Sequence, residues 1–321
     1  MRGVIRVRAR GTVRIVALAC GTGAAKFLRG LTAVVPPEQV TVIGNTGDDT
    51  RIWDLHISPD LDTVTYALAG LLDEGKGWGI RDDAFRCLAA MAALDVDTWF
   101  NLGDRDLATH LFRTKRLRAG QSLSEVTEAI RRALGVRSRI LPASDSPVAT
   151  RVLTPGGWLG FQEFFVMEKA QPEVLDVAYS GADQASPAPG VLEAIRKASA
   201  VVICPSNPIT SIGPILAVPG IAEALAATSA RVLAISPIVG GAPVSGPAGK
   251  LMGAKGLPVS AVGVAQLYRP WLDILVLDHR DEGTAPDVAR LGITPVITET
   301  IMTDRRAEAA LARAALDRLT R

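Results

Sequence analysis

The sequence predicts an α/β fold: a Rossmann-like parallel sheet covered by helices on both faces, with a smaller mixed α/β insertion. Three observations lead to this prediction. Short apolar runs alternate with helical patterns along most of the 321 residues. These runs are continuously apolar, which is typical of parallel strands buried on both faces. Between about residues 139 and 177 the pattern changes to short strand-like pieces around a glycine-rich turn, which indicates the insertion.

The first part of the chain supplies two strands and a series of helices. Val13–Cys20 is a β-rich apolar run ended by Gly21, Ala24–Val34 has a helical pattern, and Val40–Asn45 is the second strand. Helical patterns follow at Asp60–Leu72, Asp82–Leu94, Asp104–Leu117 and Leu123–Leu134. Several of them begin at an aspartate, a residue that is suited to capping a helix amino terminus and to favourable contact with the helix dipole.

The second part begins with a hairpin and returns to the alternation. Thr154–Gly157 reads Thr-Pro-Gly-Gly, which favours a tight turn between two short strands. Strands are then predicted at Ala200–Cys204, Arg231–Ile235 and Asp273–Leu277, each beside a helical stretch.

These elements predict one α/β domain, residues 13–321, after a basic extension at residues 1–12. Within the domain, we expect the Rossmann-like core to span about residues 13–60 and 178–321. A helical and hairpin insertion is expected over about residues 61–177.

Composition and charge exclude several classes of protein. The net charge of +2 gives the chain as a whole no nucleic-acid or membrane-surface signature. The cysteines, Cys20, Cys87 and Cys204, are scattered, which suits a reducing compartment. The arginine-rich Met1–Arg10 and the apolar Val13–Cys20 faintly imitate a signal peptide, but the apolar run leads straight into a glycine-rich turn. We therefore expect a cytoplasmic protein that does not span a membrane.

The polar segments of the chain follow predicted strands. In open parallel sheets, ligands bind beyond the carboxyl ends of the strands. Four segments at such positions are rich in Gly, Pro, Asn, Asp or Ser, and they are Gly21–Lys26, Asn45–Thr50, Pro205–Gly213 and Ser236–Gly249. The sequence therefore predicts one ligand site built from these loops.

The first of these loops, Gly21-Thr22-Gly23, is a candidate phosphate site. Two glycines let backbone N–H groups approach a phosphate, and the helix that follows adds a partial positive charge. A plain tight turn is the alternative. Lys26 stands where the dinucleotide fingerprint needs Gly or Ala, which disfavours an NAD-dependent dehydrogenase.

Four carboxylates follow the second strand, at Asp48, Asp49, Asp60 and Asp62. Carboxylates this close repel one another without a cation, and Mg²⁺ commonly takes one or two of them together with substrate phosphates. Alternatively, Asp60 or Asp62 caps the next helix, and Asp48 and Asp49 are solvated. The spacing alone leaves both interpretations open.

Two further segments carry polar groups. Asp106 and His110 lie one helical turn apart, as in a surface helix contact or a proton-transfer pair, and spacing favours the contact. In Pro205–Pro214, two prolines fix a strand-to-helix loop whose Ser and Asn groups are suited to a purine edge. The segment that begins at Ser236 is its counterpart after the next strand.

Together these segments resemble the 2-phospho-lactate transferase family of deazaflavin coenzyme F-420 biosynthesis. The resemblance covers about residues 13 to 304. It rests on five stretches in order: Gly-Thr-Gly at Gly21–Gly23, Ser-Pro-Asp-Leu-Asp-Thr at Ser58–Thr63, Gly-Asp-Arg-Asp-Leu-Ala-Thr-His at Gly103–His110, Pro-Ser-Asn-Pro-Ile-Thr-Ser-Ile-Gly-Pro at Pro205–Pro214, and Ala-Pro-Val-Ser-Gly-Pro-Ala-Gly-Lys at Ala242–Lys250.

The resemblance implies an Mg²⁺-dependent homodimeric transferase. Such enzymes move a phospho-lactyl-type group from a guanosine diphosphate-linked donor to the ribityl hydroxyl of the deazaflavin Fo, and GMP is released. The acid is lactyl, enolpyruvyl or glyceryl, and the sequence leaves this choice open. A non-catalytic relative that binds a nucleotide-sugar and regulates metabolism is the alternative.

The resemblance also assigns residues. Gly21, Thr22 and Gly23 are expected at the donor phosphates. Asp48 and Asp60 are expected at the metal and the acceptor hydroxyl as catalytic residues, with Asp49 and Asp62 as further metal ligands. The residues expected around the guanosine are Ser206, Asn207, Pro208, Gly213 and Ser236. The chain departs from the family pattern at Cys20, where members often have glycine, and this adds a Cβ and a sulfur beside the phosphate loop.

Overall fold

A computed structural model describes residues 13–319, so the basic extension predicted at residues 1–12 lies outside the described residues. The strands of the described part are β1 (Ile15–Ala19), β2 (Val40–Gly44), β3 (Thr50–Ile52), β4 (Leu55–Ile57), β5 (Arg139–Pro142), β6 (Ala149–Thr154), β7 (Gly157–Gly160), β8 (Asp176–Ser180), β9 (Ala200–Ile203), β10 (Arg231–Ile235), β11 (Ile238–Val239), β12 (Ala242–Pro243), β13 (Ile274–Asp278) and β14 (Thr294–Thr298).

The helices are α1 (Gly21–Val34), α2 (Pro59–Leu68), α3 (Arg86–Ala92), α4 (Asp104–Arg118), α5 (Leu123–Ala133), α6 (Val191–Arg196), α7 (Gly213–Ala217), α8 (Ile221–Ala227), α9 (Ala248–Ala254), α10 (Ala261–Tyr268), α11 (Ala285–Arg290) and α12 (Arg305–Leu319). Among the described residues no single helix is long and apolar enough to cross a membrane. One pair bent by 87°, Pro208–Ala217 with Ile221–Ala227, meets the length and composition requirements together.

The main sheet has seven strands in the order β14-β13-β10-β9-β1-β2-β5, and every pair in it is parallel. Successive residues of β1 point to opposite faces, and all are buried. Val16 and Leu18 enter one apolar cluster, whereas Ile15, Ala17 and Ala19 enter the other. Helices cover both clusters, which confirms the predicted Rossmann-like α/β sheet.

The predicted order of strands and helices is confirmed, with ends shifted by a few residues. The largest shifts are of four residues: α2 ends at Leu68 rather than Leu72, and the helix predicted from Asp82 begins instead at Arg86. Asp82 has a φ of 55°, and a residue in this left-handed region cannot belong to a right-handed helix.

The stretch predicted as an insertion supplies strands to a separate three-stranded sheet and also one strand to the main sheet. Its hairpin strands β6 and β7 pair through Thr154–Gly157, and β8 completes a three-stranded antiparallel sheet. However, β5 comes from the same stretch and forms an edge strand of the main parallel sheet. Residues 61–177 therefore do not lie wholly outside the core sheet. Like β14 at the other edge, β5 was not predicted, because each of these strands holds only two consecutive apolar residues besides its proline.

Candidate functional site at the carboxyl ends of the central strands

The four polar loops meet because their strands are neighbours. The strands β10, β9, β1 and β2 are adjacent and parallel, so the segments after them leave the same edge of the sheet. The chain passes from β1 to β2 on one side and reaches β9 on the other, which makes the β1–β9 boundary the topological switch point where ligands bind in such folds.

Direct contacts join the loops at this switch point. The Ser206 hydroxyl donates to the carbonyl oxygen of Cys20 at 2.8 Å. A Cβ placed on Gly23 lies 2.2 Å from the carbonyl oxygen of Pro205, so only glycine allows this approach. The glycine predicted for a phosphate loop is therefore also needed to pack two loops together.

The centre of the site is a cluster of three buried side chains, Cys20, Asp48 and Asp60. Their ligand atoms, one sulfur and two carboxylate oxygens, lie within 4.8 Å of one another. Asp48 and Asp60 are only 5% and 7% exposed. The structure thus brings together Asp48 and Asp60, the two aspartates that the resemblance assigned to the metal and the acceptor hydroxyl. It also adds the Cys20 sulfur, which the sequence analysis treated only as a departure from the family pattern.

Asn45 ties this cluster to the loop after β9. Its side-chain nitrogen donates to Asp60 Oδ2 at 2.9 Å and to the Thr210 carbonyl oxygen at 3.2 Å. Its side-chain oxygen accepts from the Gly47 N–H at 2.7 Å. Asn45 was not predicted as a site residue, although its position directly after a buried strand was an available signal.

The two carboxyls of the cluster lie in an environment that disfavours their charge. Burial raises the pKa of Asp48 well above its ordinary value, and the negative charge of Asp60 raises it further. Burial also raises the pKa of Asp60 to about 6, against hydrogen bonds that include one from the Gly21 N–H. Among the described residues, Asp48 Oδ1 has no hydrogen-bond partner.

A divalent cation fits this donor set. Two carboxylates facing each other out of water repel, and a buried carboxylate oxygen without a partner is costly. A cation between Asp48 and Asp60 removes both costs, and carboxylate oxygens are the ligands that Mg²⁺ prefers. The two residues therefore form the candidate metal centre.

Asp49 and Asp62 lie outside this group of ligand atoms. Asp49 Oδ2 accepts from Ser58 Oγ at 2.8 Å and contacts His56 Nε2 at 2.9 Å. Asp62 Oδ1 accepts a hydrogen bond from the Arg113 guanidinium. The role of both aspartates as metal ligands stays a prediction. Each of them already has a partner within the protein, His56 and Ser58 for Asp49 and Arg113 for Asp62.

A second buried cluster surrounds Asp62. Besides Arg113, it contains His110, whose Nδ1 lies 3.7 Å from Asp62 Oδ2 and whose Nε2 lies 3.2 Å from Asp106 Oδ2. Tyr66 donates to Asp106 Oδ1 at 2.6 Å. His110 and Arg113 are each only 1% exposed, so the Asp106–His110 pair is not a surface contact as its spacing favoured. We call these five residues the compensated cluster, because an arginine and a histidine side chain lie beside its carboxylates.

The remaining predicted binding residues make contacts within the protein. Thr22 Oγ1 donates to the Gly77 carbonyl oxygen at 3.0 Å. The Asn207 side chain accepts from the Ile209 N–H at 2.9 Å and so caps the turn that Pro208 begins. Ser236 Oγ donates to the Ile238 carbonyl oxygen at 2.9 Å. All these residues belong to the loops that meet at the switch point.

The antiparallel sheet also reaches the site, which the sequence did not indicate. Tyr179 on β8 donates to the Ile209 carbonyl oxygen at 2.5 Å. A Cβ placed on Gly213 lies 2.0 Å from that tyrosine oxygen. On β6, the Thr150 hydroxyl lies 2.8 Å from a Cβ placed on Gly47. The sheet therefore supports the loops after β2 and β9 from one side.

Comparison with known proteins identifies the family. A family model described as "2-phospho-L-lactate transferase CofD" matches residues 15–312. This chain belongs to that family. It is 45% identical over 298 residues to the 2-phospho-L-lactate transferase of Methanosarcina acetivorans, with 93% of this chain and 96% of the relative covered. It is 48% identical to the phosphoenolpyruvate transferase of Kitasatospora aureofaciens, with 95% and 97% covered. These names support a CofD-like transferase.

A solved structure shares the fold. The crystal structure of a UPF0052 family member from Bacillus halodurans matches with a TM-score of 0.67 at 19% identity. The match covers 96% of this chain and all of that one. At this identity the likeness concerns the fold alone.

Proposed function

We propose that this chain transfers a phosphorylated small-acid group from a guanosine diphosphate-linked donor to the ribityl hydroxyl of the deazaflavin Fo, with release of GMP, in coenzyme F-420 biosynthesis. Two findings support the proposal: membership of the transferase family, and polar loops gathered at the switch point. The observation that carries it is the pair of facing buried carboxylates, Asp48 and Asp60, with an unpartnered oxygen on Asp48.

The loops divide the substrate between them in this proposal. The N–H groups at the start of α1, around Gly21, Thr22 and Gly23, favour the donor phosphates, because a helix amino terminus carries partial positive charge. The loop of Ser206, Asn207, Pro208 and Gly213 lies directly beside them, and the Ser236 loop follows on the next strand. These residues would hold the guanosine.

The reaction needs alignment and charge neutralisation rather than a covalent enzyme intermediate. The acceptor hydroxyl oxygen forms a bond to the phosphorus that bears the acid, and the phosphoanhydride bond to the GMP phosphate breaks. GMP leaves with that electron pair. The hydroxyl proton passes to a carboxylate, for which Asp48 is our first assignment. Mg²⁺ held by Asp48 and Asp60 would neutralise charge on the phosphoryl oxygens.

The test is a product assay with three donors. Purified protein is incubated with Mg²⁺, Fo and a guanosine-linked donor that carries a lactyl, enolpyruvyl or glyceryl group, and products are followed by mass spectrometry. We expect GMP and one phosphoacyl-deazaflavin, which names the acid. No product with any donor, together with tight binding of a uridine-linked sugar, contradicts the transferase and supports the regulator.

Asp48→Asn separates the chemistry from binding. We expect turnover to fall by about 10³-fold or more, because the variant loses both a cation ligand and a proton acceptor. GDP binding, measured by calorimetry, should stay largely intact. Asp54→Asn is the matched control, since Asp54 is exposed and its φ of 61° suits asparagine. Near-normal turnover in Asp48→Asn overturns the assignment.

The resemblance further implies a homodimer in the cytoplasm. Both remain predictions, and light scattering on the purified protein checks the first.

A further inference from the structure

Cys20 occupies a position where the backbone does not decide the residue type. It lies at the carboxyl end of β1 and caps α1 with φ −155° and ψ 138°, an extended conformation open to any residue. Glycine is therefore not required at this position. The side chain is 4% exposed and its sulfur faces the centre of the site.

The sulfur completes a set of three donors around one point. Cys20 Sγ and one oxygen each from Asp48 and Asp60 lie within 4.8 Å of one another. Thiolate sulfur binds Zn²⁺ at about 2.3 Å and carboxylate oxygen binds it at about 2.0–2.2 Å, so an ion bound by all three atoms draws the sulfur and the oxygens to within about 4.5 Å of one another. The buried Asp48 Oδ1 has no hydrogen-bond partner among the described residues, so it is free to bind a cation.

We propose that Cys20, Asp48 and Asp60 form a mixed sulfur and oxygen site that binds a thiophilic divalent cation, such as Zn²⁺ or Cd²⁺, directly through the Cys20 sulfur. The inference deepens the cation site of the proposed function and rests on it. Mg²⁺ binds oxygen donors and uses only the two carboxylates. Sulfur favours softer ions, and the thiol proton leaves to solvent as the metal–sulfur bond forms. Cys20 thus sets which cation the site prefers.

The consequence is a change of cation selectivity carried by one side chain. Any oxygen site binds Zn²⁺ more tightly than Mg²⁺ to some extent, so tight Zn²⁺ binding alone proves nothing. Cys20 adds a further preference for Zn²⁺ over Mg²⁺, and this added preference is lost when the sulfur is removed. The two ions share Asp48 and Asp60, so Mg²⁺ competes with Cd²⁺ for the site.

The experiment uses the full chain with Cys20 as its only thiol. Cys87 is exposed, and Cys204 is buried and is not one of the three clustered residues, so the background is Cys87→Ser with Cys204→Ala. Cd²⁺ and Mg²⁺ are titrated in buffer without thiols or substrates. Calorimetry gives both affinities, and ultraviolet absorption follows the thiolate-to-Cd²⁺ charge-transfer band. Cys20→Ser and Cys20→Gly are then made in the same background.

We expect one Cd²⁺ per chain with a charge-transfer band, and Mg²⁺ should weaken Cd²⁺ binding. Cys20→Ser and Cys20→Gly should abolish the band and lower Cd²⁺ affinity at least about tenfold, since even partners that do not touch the metal are worth this much. Their Mg²⁺ affinity should change less than about threefold.

A missing band in the background protein, or an unchanged Cd²⁺ affinity in folded Cys20→Gly, overturns the inference. Circular dichroism confirms the folding of each variant, and Cys20→Gly removes the whole side chain without requiring a new backbone conformation. Because no donor or acceptor is present, a transferase assay that fails leaves this result intact. Conversely, Cd²⁺ binding without the sulfur band leaves the transferase proposal intact.

Discussion

Two buried carboxylate clusters lie on opposite faces of α2, and they differ in what neutralises them. Asp60 faces Asp48 and the Cys20 sulfur, and the pKa values of both carboxyls are raised chiefly by burial. Asp62 instead accepts from Arg113, which is fully buried and keeps a raised pKa despite burial because of that partner. Within residues 13–319, no arginine, lysine or histidine side chain forms an ion pair with Asp48 or Asp60, whereas Arg113 pairs with Asp62 in the second cluster.

The difference separates a ligand site from a structural support. In the compensated cluster, burial tends to raise the pKa of Asp106, but its contacts with His110, Tyr66 and Arg113 outweigh this and the pKa is lowered. The carboxylates of this cluster therefore have cationic or hydrogen-bonding partners within the protein. The cluster of Cys20, Asp48 and Asp60 carries an electrostatic cost that a bound cation would relieve. The two clusters should therefore respond differently to substitutions and to added Mg²⁺ when the free energy of unfolding is measured.

The largest expected effect on stability is in the compensated cluster. Arg113→Met should lower the free energy of unfolding by about 3–5 kcal/mol, because it leaves Asp62 buried beside no guanidinium. Denaturant unfolding measures the change. The double variant Asp62→Asn with Arg113→Met should recover much of the loss, since no lone charge remains. Equal losses in the single and double variants would falsify the pairing.

Added Mg²⁺ should distinguish the clusters next. At a concentration of 100 times its Kd, Mg²⁺ should stabilise the protein by about 2.7 kcal/mol, because it binds only the folded site. Thermal unfolding with and without Mg²⁺ measures the increment. Asp48→Asn should lose it, whereas Tyr66→Phe in the compensated cluster should keep it. A full increment in Asp48→Asn would place the cation elsewhere.

Tyr66→Phe should cost about 2 kcal/mol of unfolding free energy. The variant removes a buried hydroxyl that donates to Asp106 Oδ1 at 2.6 Å, and hydrogen bonds to charged groups contribute about 1.5–3 kcal/mol. Denaturant unfolding again gives the value, and Tyr268→Phe is a matched buried control in the apolar core. A cost no larger than that of the control contradicts a role for the hydroxyl.

The smallest effect is expected from Asp48→Asn without metal. The variant removes a charge that burial and Asp60 already disfavour, so the unfolding free energy should stay unchanged or rise by about 1 kcal/mol. The same variant should lose turnover, which makes the pair of results diagnostic of a ligand site. A loss of 3 kcal/mol or more, as expected for Arg113→Met, would show that Asp48 is compensated internally after all.

Local patterns predicted the order of elements and the residues of the loops. Val13–Cys20 and Val40–Asn45 are continuous apolar runs, and the physical requirement that both faces be covered follows from that pattern. Polar loops after parallel strands must leave the same edge of the sheet, so the gathering of the Gly21, Asn45 and Ser206 segments also followed. Edge strands such as β5 were missed because two consecutive apolar residues beside a proline are too few to predict a strand.

What the sequence by itself determined was therefore the α/β class, the family resemblance and the loops that form the site. Only the tertiary structure decided which carboxylates face each other. Asp60 and Asp62 are two residues apart on α2 and so point roughly 200° apart around its axis. One reaches Asp48 and Cys20, and the other reaches Arg113, a residue 51 positions away. Such partners depend on how distant elements pack, which no local spacing records.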